Sequence, residues 1–152
     1  MSRLGVEIRT AEPDDHARVM AVLDEWWGGR PMRAMLPRLF FVHFRDTSMV
    51  AERDGELAGF LVGFLSQSEP DAAYVHFVGV SPAERGTGLG RELYERFFAL
   101  ARERGRTRVS CVTSAANAGS LAFHRSLGFA ASDSQPGYDG PGEDRVVLTR
   151  RI

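Results

Sequence analysis

Residues 80–90 read Val80-Ser81-Pro82-Ala83-Glu84-Arg85-Gly86-Thr87-Gly88-Leu89-Gly90, and they separate an apolar, β-branched run from a helical one. Glycines at every second position lack Cβ atoms, so backbone N–H groups can converge on one point. The helix that follows adds unpaired donors and a partial positive charge at its N-terminus. Two nearby arginines, Arg85 and Arg91, suit phosphate oxygens. Strand, glycine loop and helix together predict a site for a phosphate-bearing ligand.

The spacing of these glycines excludes two common nucleotide sites. The dinucleotide fingerprint G-x-G-x-x-G would place its third glycine at Arg91, and it needs an acidic residue about twenty positions later. Residues 106–109 instead read Arg-Thr-Arg-Val. The P-loop requires a lysine, and all nineteen basic residues of this sequence are arginine.

Two blocks of the sequence resemble the GCN5-related N-acetyltransferases (GNATs). Residues 80–90 are similar to the acetyl-coenzyme A signature of that family, [QR]-x-x-G-x-[GA]. The second block resembles a family motif in which an asparagine leads a short helix that ends on Leu-Gly-Phe. It reads Asn117-Ala118-Gly119-Ser120-Leu121-Ala122-Phe123-His124-Arg125-Ser126-Leu127-Gly128-Phe129. The two blocks occur in the expected order, and the resemblance spans roughly residues 8–152.

Length and composition indicate a single globular domain over residues 1–152. Hydrophobic residues make up 43% of the chain and charged residues 26%, and the net charge is −1. This balance predicts neither a nucleic-acid surface nor a membrane surface, and no signal peptide is visible. The single cysteine, Cys111, allows no internal disulfide and favours a reducing cytoplasm. It lies in a strand-like run, where a small buried side chain is expected.

Apolar periodicity and turn residues predict the element order β-α-α-β-β-β-α-β-α-β-β. Predicted strands cover Val6–Arg9, Ser48–Glu52, Leu57–Leu65, Tyr74–Val80, Arg108–Thr113, Phe129–Ser132 and Arg145–Thr149. The first predicted helix begins at Pro13 and ends before Gly28. The second covers Met32–Phe44, with a start, kink or break at Pro37, and the third covers Gly88–Arg104. The fourth follows an N-cap at Asn117. This order indicates a mixed α/β fold. The resemblance implies a largely antiparallel sheet, flanked by helices, whose central strands splay apart.

The resemblance also implies that acetyl-coenzyme A is the co-substrate. Main-chain groups of Val78, Gly79 and Val80 would pair with the pantetheine arm. Asn117 matches a position that contacts the coenzyme, and a helix cap alone stays open as the alternative. The diphosphate would lie on Arg85, Gly86, Thr87, Gly88, Leu89, Gly90 and Arg91.

Three residues are candidates for catalysis, and no metal site is predicted. His124 stands where the family commonly has a tyrosine that protonates the leaving thiolate, and a histidine can also do this. His76 is the first candidate for the base, since Tyr74, His76 and Val78 alternate onto one face of a strand. Tyr74 occupies the position of the base in other members, but a tyrosine is a poor base at neutral pH. A packed core histidine at position 76 and a water chain to solvent stay open as alternatives.

The acceptor is expected to be a small-molecule or peptide amine. Trp26, Trp27 and Arg30 lie between the first two helices, where the resemblance implies the substrate wall. Tyr138 belongs to a loop, residues 135–144, that would face this wall, and its carboxylates, Asp139, Glu143 and Asp144, are candidates to hold a cationic amine. The resemblance also allows a homodimer. The competing hypothesis is a coenzyme A-binding sensor or interaction module without catalysis.

Overall fold

The computed structural model describes residues 4–152, which form seven strands and four α-helices. The strands are β1 (Glu7–Thr10), β2 (Met49–Arg53), β3 (Glu56–Leu65), β4 (Ala72–Val80), β5 (Arg108–Ser114), β6 (Ala130–Ala131) and β7 (Arg145–Arg151). The helices are α1 (Asp15–Trp26), α2 (Leu39–His43), α3 (Leu89–Glu103) and α4 (Ala118–Ser126). Within the same residues, no helix is both long and apolar enough to span a membrane. The mixed α/β class and the order of the strands and α-helices are those predicted from the sequence.

The second predicted helix is split near Pro37, which is one of the outcomes predicted for that proline. Residues 33–35 form a separate 3-10 turn, and α2 begins only at Leu39. Pro37 lies between them and lacks the N–H that a continuous helix would need at this position, so the break falls there. Leu36, just before Pro37, is fully buried, so the chain stays packed in the core at the break.

The chain divides into two compact units, and β4 contributes one half to each. The first unit comprises residues 4–64 and 77–100. Its strand order is β1-β2-β3-β4, with antiparallel pairing from β1 to β3 and a tight turn at Asp54 and Gly55. The core of this unit joins the buried stripe of α1, which includes Val19 and Leu23, to Phe60 and other apolar residues.

Helix α3 buries one apolar face. Leu89, Leu93 and Phe97 are at most 1% exposed, and Tyr94 and Phe98 are buried beside them. Apolar residues at spacings of three and four form one stripe on a helix, and burying such a stripe is the main source of helix stability in a folded protein. This packing holds the N-terminus of α3 directly behind the glycine loop.

The second unit comprises residues 65–76 and 101–152, with strand order β4-β5-β7-β6. Strands β5 and β7 pair antiparallel over seven residue pairs, whereas β4 and β5 pair in parallel over only three, Ala72–Tyr74 with Arg108–Ser110. Both strands continue beyond the paired stretch. A central pair that separates early is the feature that the resemblance implies.

Candidate active site

The end of β4 is tied into the first unit before the glycine loop begins. The Ser81 N–H donates to the Ala58 carbonyl oxygen over 2.9 Å, and the Ser81 hydroxyl accepts from the Ala83 N–H over 3.4 Å. These bonds start a 3-10 turn over Pro82–Glu84, where a proline suits the first position. The chain therefore leaves the strand with a defined direction.

The glycine loop presents backbone donors to open space. Gly86 and Gly88 have φ angles of +79° and +93°, and a Cβ atom at either position would meet nothing within 4 Å. Within residues 4–152, the N–H groups of Gly86, Gly88, Leu89 and Gly90 have no acceptor. Positive φ suits glycine, and successive free N–H groups at a helix N-terminus form an anion cradle. The loop thus fits a diphosphate.

An ion pair holds the residue that precedes this loop. Glu84 is 8% exposed, and its carboxylate receives two hydrogen bonds from Arg53, at 2.7 Å from Nε and 3.1 Å from Nη2. The guanidinium lowers the pKa of Glu84, mainly through these hydrogen bonds, and the pKa of Arg53 is raised in turn. The Glu84 carbonyl oxygen accepts from the Thr87 N–H over 3.3 Å and from its hydroxyl over 2.6 Å.

The side chain of Arg85 points to the end of α1. Its Nη2 donates to the Trp26 carbonyl oxygen over 2.7 Å. The orphan carbonyls at a helix C-terminus are natural acceptors for a cation. Arg85 therefore joins the glycine loop to the C-terminal end of α1, where residues are predicted to contact the acceptor. Arg91 lies on α3 and is exposed.

Trp26 and Trp27 occupy different environments. Trp26 is 7% exposed and stacks on Phe60 with centroids 6.1 Å apart, so the core takes nearly all of its surface. Trp27 is half-buried and meets Phe77 edge-on at 5.3 Å. A Cβ atom at Gly79 would lie 2.8 Å from the Trp27 ring and from Phe60, so β4 requires glycine there. Arg30 is exposed, and its Nε lies 3.4 Å from the Trp27 carbonyl oxygen.

Tyr74 and His76 lie on β4 in the second unit, both half-buried and on the same strand face. Burial raises the pKa of Tyr74 well above its ordinary value, and the neighbouring Cys111, Tyr138 and Asp139 act in the same direction. A phenol with a raised pKa keeps its proton at neutral pH, which disfavours Tyr74 as a base.

Asn117 and His124 are joined through Ser120 on α4. The Asn117 Oδ1 accepts from the Ser120 N–H over 3.0 Å, which confirms the predicted N-cap. The Nδ1 of His124 lies 2.8 Å from the Ser120 carbonyl oxygen. A carbonyl oxygen can only accept, so Nδ1 carries the proton and, in the neutral ring, Nε2 carries the lone pair.

His124 is buried among aromatic rings. It is 6% exposed and meets Phe123 and Phe129 edge-on, at centroid distances of 5.4 and 5.2 Å. Burial lowers the pKa of His124, partly opposed by the Ser120 carbonyl, so the imidazole is neutral at pH 7. A neutral histidine with one fixed proton has a defined orientation, in contrast to a freely rotating surface side chain.

The acidic loop, residues 135–144, uses its carboxylates internally. Arg145 pairs with Asp139 and with Glu143, both at 2.9 Å, and Asp144 accepts from the Gly137 N–H over 2.9 Å. These carboxylates are therefore already compensated and offer little to an ammonium group. Tyr138, at 51% exposure, is the large hydrophobic side chain that this exposed loop presents to solvent.

Three contacts were not predicted from the sequence: Arg53 with Glu84, Arg85 with the end of α1, and Trp27 with Gly79. Each joins residues at least 31 positions apart. Glu84 stands just before the glycine loop, and a carboxylate beside a predicted anion site is the one local signal that a cationic partner was needed.

The sequence model of the Acetyltransferase (GNAT) family matches residues 8–129. The chain belongs to this family. L-2,4-Diaminobutyric acid acetyltransferase from Nocardia farcinica is 38% identical over 80 residues, which cover 53% of this chain and 42% of the relative. The chain thus matches less than half the length of that relative.

Solved structures agree with the fold. A protein from Desulfovibrio desulfuricans assigned to the GNAT family superposes with a TM-score of 0.83 at 20% identity, covering 96% of this chain and 98% of the other. Diaminobutyrate acetyltransferase from Paenibacillus lautus, solved with L-2,4-diaminobutyric acid and coenzyme A, gives a TM-score of 0.75 at 22% identity, covering 95% and 93%.

Proposed function

We propose that this protein transfers the acetyl group of acetyl-coenzyme A to a primary amine by direct attack. The glycine loop carries the proposal, because its free N–H groups, its positive φ angles and the start of α3 suit a diphosphate. Family membership supports the same co-substrate. Main-chain groups of Val78, Gly79 and Val80 would hold the pantetheine arm.

The proposed reaction needs an amine without its proton and a proton for the departing thiolate. Acetyl-coenzyme A, when bound, supplies a thioester whose carbon forms the new C–N bond while the C–S bond breaks. His76 would take the ammonium proton, directly or through water, because it is the titratable side chain of β4 best suited to neutral pH. Tyr74 keeps its phenolic proton and would serve as a hydrogen-bond donor.

His124 would deliver the proton to the thiolate from Nε2. Its Nδ1 proton is held by Ser120, so Nε2 must first take up a proton from water before it can donate one. The lowered pKa of His124 makes the resulting imidazolium a stronger acid than usual. Proton transfer to a thiolate, whose ordinary pKa is about 8.5, would therefore be favourable.

For the acceptor we propose a small amine that also carries a carboxylate. The relatives that act on diaminobutyric acid support this class. Trp27 offers an aromatic face to an ammonium group, and the exposed Arg30 offers a cation to a carboxylate. Tyr138 would contact the acceptor from the acidic loop. Peptide amines are the competing acceptor class.

The test is an acetyl-transfer assay that measures the release of free coenzyme A thiol. The amine panel should contain diamino acids, their decarboxylated diamines, simple amino acids and short peptides. We expect diamino acids to turn over with a lower KM than the matching diamines, because only they carry the carboxylate. Equal KM values for the two series would refute the carboxylate requirement, and no turnover with any amine would refute the enzymatic proposal.

The buried His124 supports one alternative function. A histidine that replaces the usual tyrosine and is locked to Ser120 would suit a protein that binds coenzyme A without catalysis. Tight binding of acetyl-coenzyme A by calorimetry, with no turnover across the whole amine panel, would favour that sensor or interaction module. Turnover with any amine excludes it.

We further propose a cytoplasmic protein that acts on small molecules and binds no nucleic acid. The single buried cysteine and the net charge of −1 support these two statements. A homodimer is the proposed assembly, after the resemblance. Light scattering across a range of protein concentrations would test the dimer, and a mass of one chain at every concentration would refute it.

A further inference from the structure

The Arg53–Glu84 pair lies in the first unit, directly before the loop proposed to hold the diphosphate. Glu84 ends the 3-10 turn that leads from β4, and Gly86 follows two residues later. Arg53 ends β2 and reaches across to this turn, where its Nη2 also donates to the Leu4 carbonyl oxygen over 2.9 Å. One guanidinium therefore fixes the turn to a different part of the chain.

The backbone of Glu84 is fixed at both ends. Its N–H donates to the Ser81 carbonyl oxygen over 2.8 Å, and its own carbonyl oxygen accepts both donors of Thr87. With the carboxylate held in addition by two hydrogen bonds, this residue has little freedom to rotate. Gly86 and Gly88, by contrast, are conformationally permissive, and a Cβ atom at either position would meet nothing within 4 Å. Glu84 is therefore the fixed residue from which the loop begins.

A carboxylate is an unexpected group this close to an anion site. Like charges at short range disfavour binding, and the repulsion is stronger where water is excluded. Arg53 compensates the charge, and because Arg is always protonated in proteins, the compensation does not depend on pH. Glu84 can thus order the loop without repelling a phosphate.

We propose that Glu84, clamped by Arg53, is a positioning residue that sets the direction of the loop N–H groups toward the diphosphate of coenzyme A. The inference rests on the proposed function. It gives the Glu84 carboxylate and Arg53 of β2 a part in binding the diphosphate, although neither side chain needs to contact it. It also explains why a buried acid is tolerated inside this loop.

The test measures coenzyme A binding by calorimetry, which requires no turnover. For Glu84→Gln we expect the dissociation constant to rise about tenfold, since the loss of a charge-assisted hydrogen-bond pair loosens the loop. In the acetyl-transfer assay, KM for acetyl-coenzyme A should rise by the same factor, while kcat changes less than about twofold. A fall in kcat with unchanged KM and unchanged binding would overturn the proposal.

Glu52→Gln is the matched control. Glu52 neighbours Arg53 on β2, and its carboxylate also receives two hydrogen bonds, one from Arg9 and one from Arg18, each at 2.9 Å. It belongs to the same unit, but its hydrogen bonds go to β1 and α1 and not to the turn at Glu84. We expect a comparable loss of thermal stability with unchanged coenzyme A affinity. An equal loss of affinity in this control would overturn the proposal, because the effect would then be general destabilisation.

Arg53→Met provides a second, independent variant. It leaves Glu84 charged and unpaired, so coenzyme A binding should weaken more than in Glu84→Gln, by about thirtyfold. Combining both changes should restore affinity to the Glu84→Gln level, because the uncompensated charge is gone. Arg53→Lys should recover part of the wild-type affinity. A double variant weaker than both single variants would overturn the role assigned to charge.

Failure of this inference and failure of the proposed function give different results. If the wild-type protein binds no coenzyme A, the proposed function is refuted and the inference with it. If the wild-type protein binds and Glu84→Gln binds equally well, only the inference is refuted.

Discussion

The glycine loop after β4 and the acidic loop before β7 both concentrate groups that bind ligands, but only the first leaves them available. In residues 86–90 every backbone N–H except that of Thr87 lacks an acceptor within the described residues. The carboxylate of Glu84, just before the loop, is paired with Arg53. In residues 135–144 the carboxylates pair with Arg145 and with a backbone N–H of the loop itself. A residue type suggests a ligand, but the hydrogen-bond partners decide whether the group can bind one.

The strongest test of this contrast places a side chain in the open cradle. Gly88→Val should weaken coenzyme A binding on the order of 100-fold or more, because a branched residue strains φ = +93° and fills the space before the N–H groups. Gly140→Val is the control, since Gly140 also has a positive φ and open surroundings but lies in the acidic loop. Calorimetry should show unchanged affinity in the control, and equal losses would contradict the assignment.

A second test contrasts an open glycine with a crowded one. Gly79→Ala should lower the free energy of unfolding by about 1–3 kcal/mol, because the new methyl group would lie 2.8 Å from Trp27 and Phe60. Gly119→Ala on α4, where the nearest atom is 3.8 Å away, should be neutral or stabilising. Urea denaturation of both variants measures the difference. An unchanged midpoint for Gly79→Ala would show that Trp27 can move aside.

The third test releases the acidic loop. Arg145→Met should cost about 1 kcal/mol or less, since its two carboxylate partners are largely solvent-exposed and such pairs contribute little. Coenzyme A affinity should be unaffected, whereas KM for a cationic amine should fall, because Asp139 and Glu143 become available. An unchanged KM would show that these carboxylates do not face the acceptor.

The smallest effect is a pH dependence of stability. Burial lowers the folded-state pKa of His124, so the unfolded chain binds more protons in acid, and stability is lost as pH falls below about 6.5. The slope from one proton is at most about 1.4 kcal/mol per pH unit. His124→Phe should remove this loss, so that thermal melts of variant and wild type diverge between pH 8 and pH 5. Parallel curves would contradict the buried neutral imidazole.

Local sequence patterns predicted the local structure well. The N-cap at Asn117 and the burial of Cys111 are both confirmed. Each depends on residues within one or two turns of the chain, where periodicity and capping rules apply. The glycine loop could also be predicted, because the spacing of its glycines is a local feature of the sequence.

Long-range partners were not predictable in the same way. Arg53 and Glu84 are 31 positions apart, and nothing in the spacing of either pairs them. Trp26 and Trp27 are adjacent and chemically identical, yet one lies in the core and the other is half-buried, because Trp26 belongs to the buried stripe of α1 and Trp27 follows the end of that helix. The carboxylates beside Tyr138 were expected to be free, but the structure pairs Asp139 and Glu143 with Arg145.

Cys111 lies inside β5 at 3% exposure, and it is the only thiol in the chain. A colorimetric reagent that detects released coenzyme A should therefore give little background from the native protein. The Cys111 sulfur can also report local opening, because the rate at which an alkylating reagent labels it measures how often β5 separates from β7.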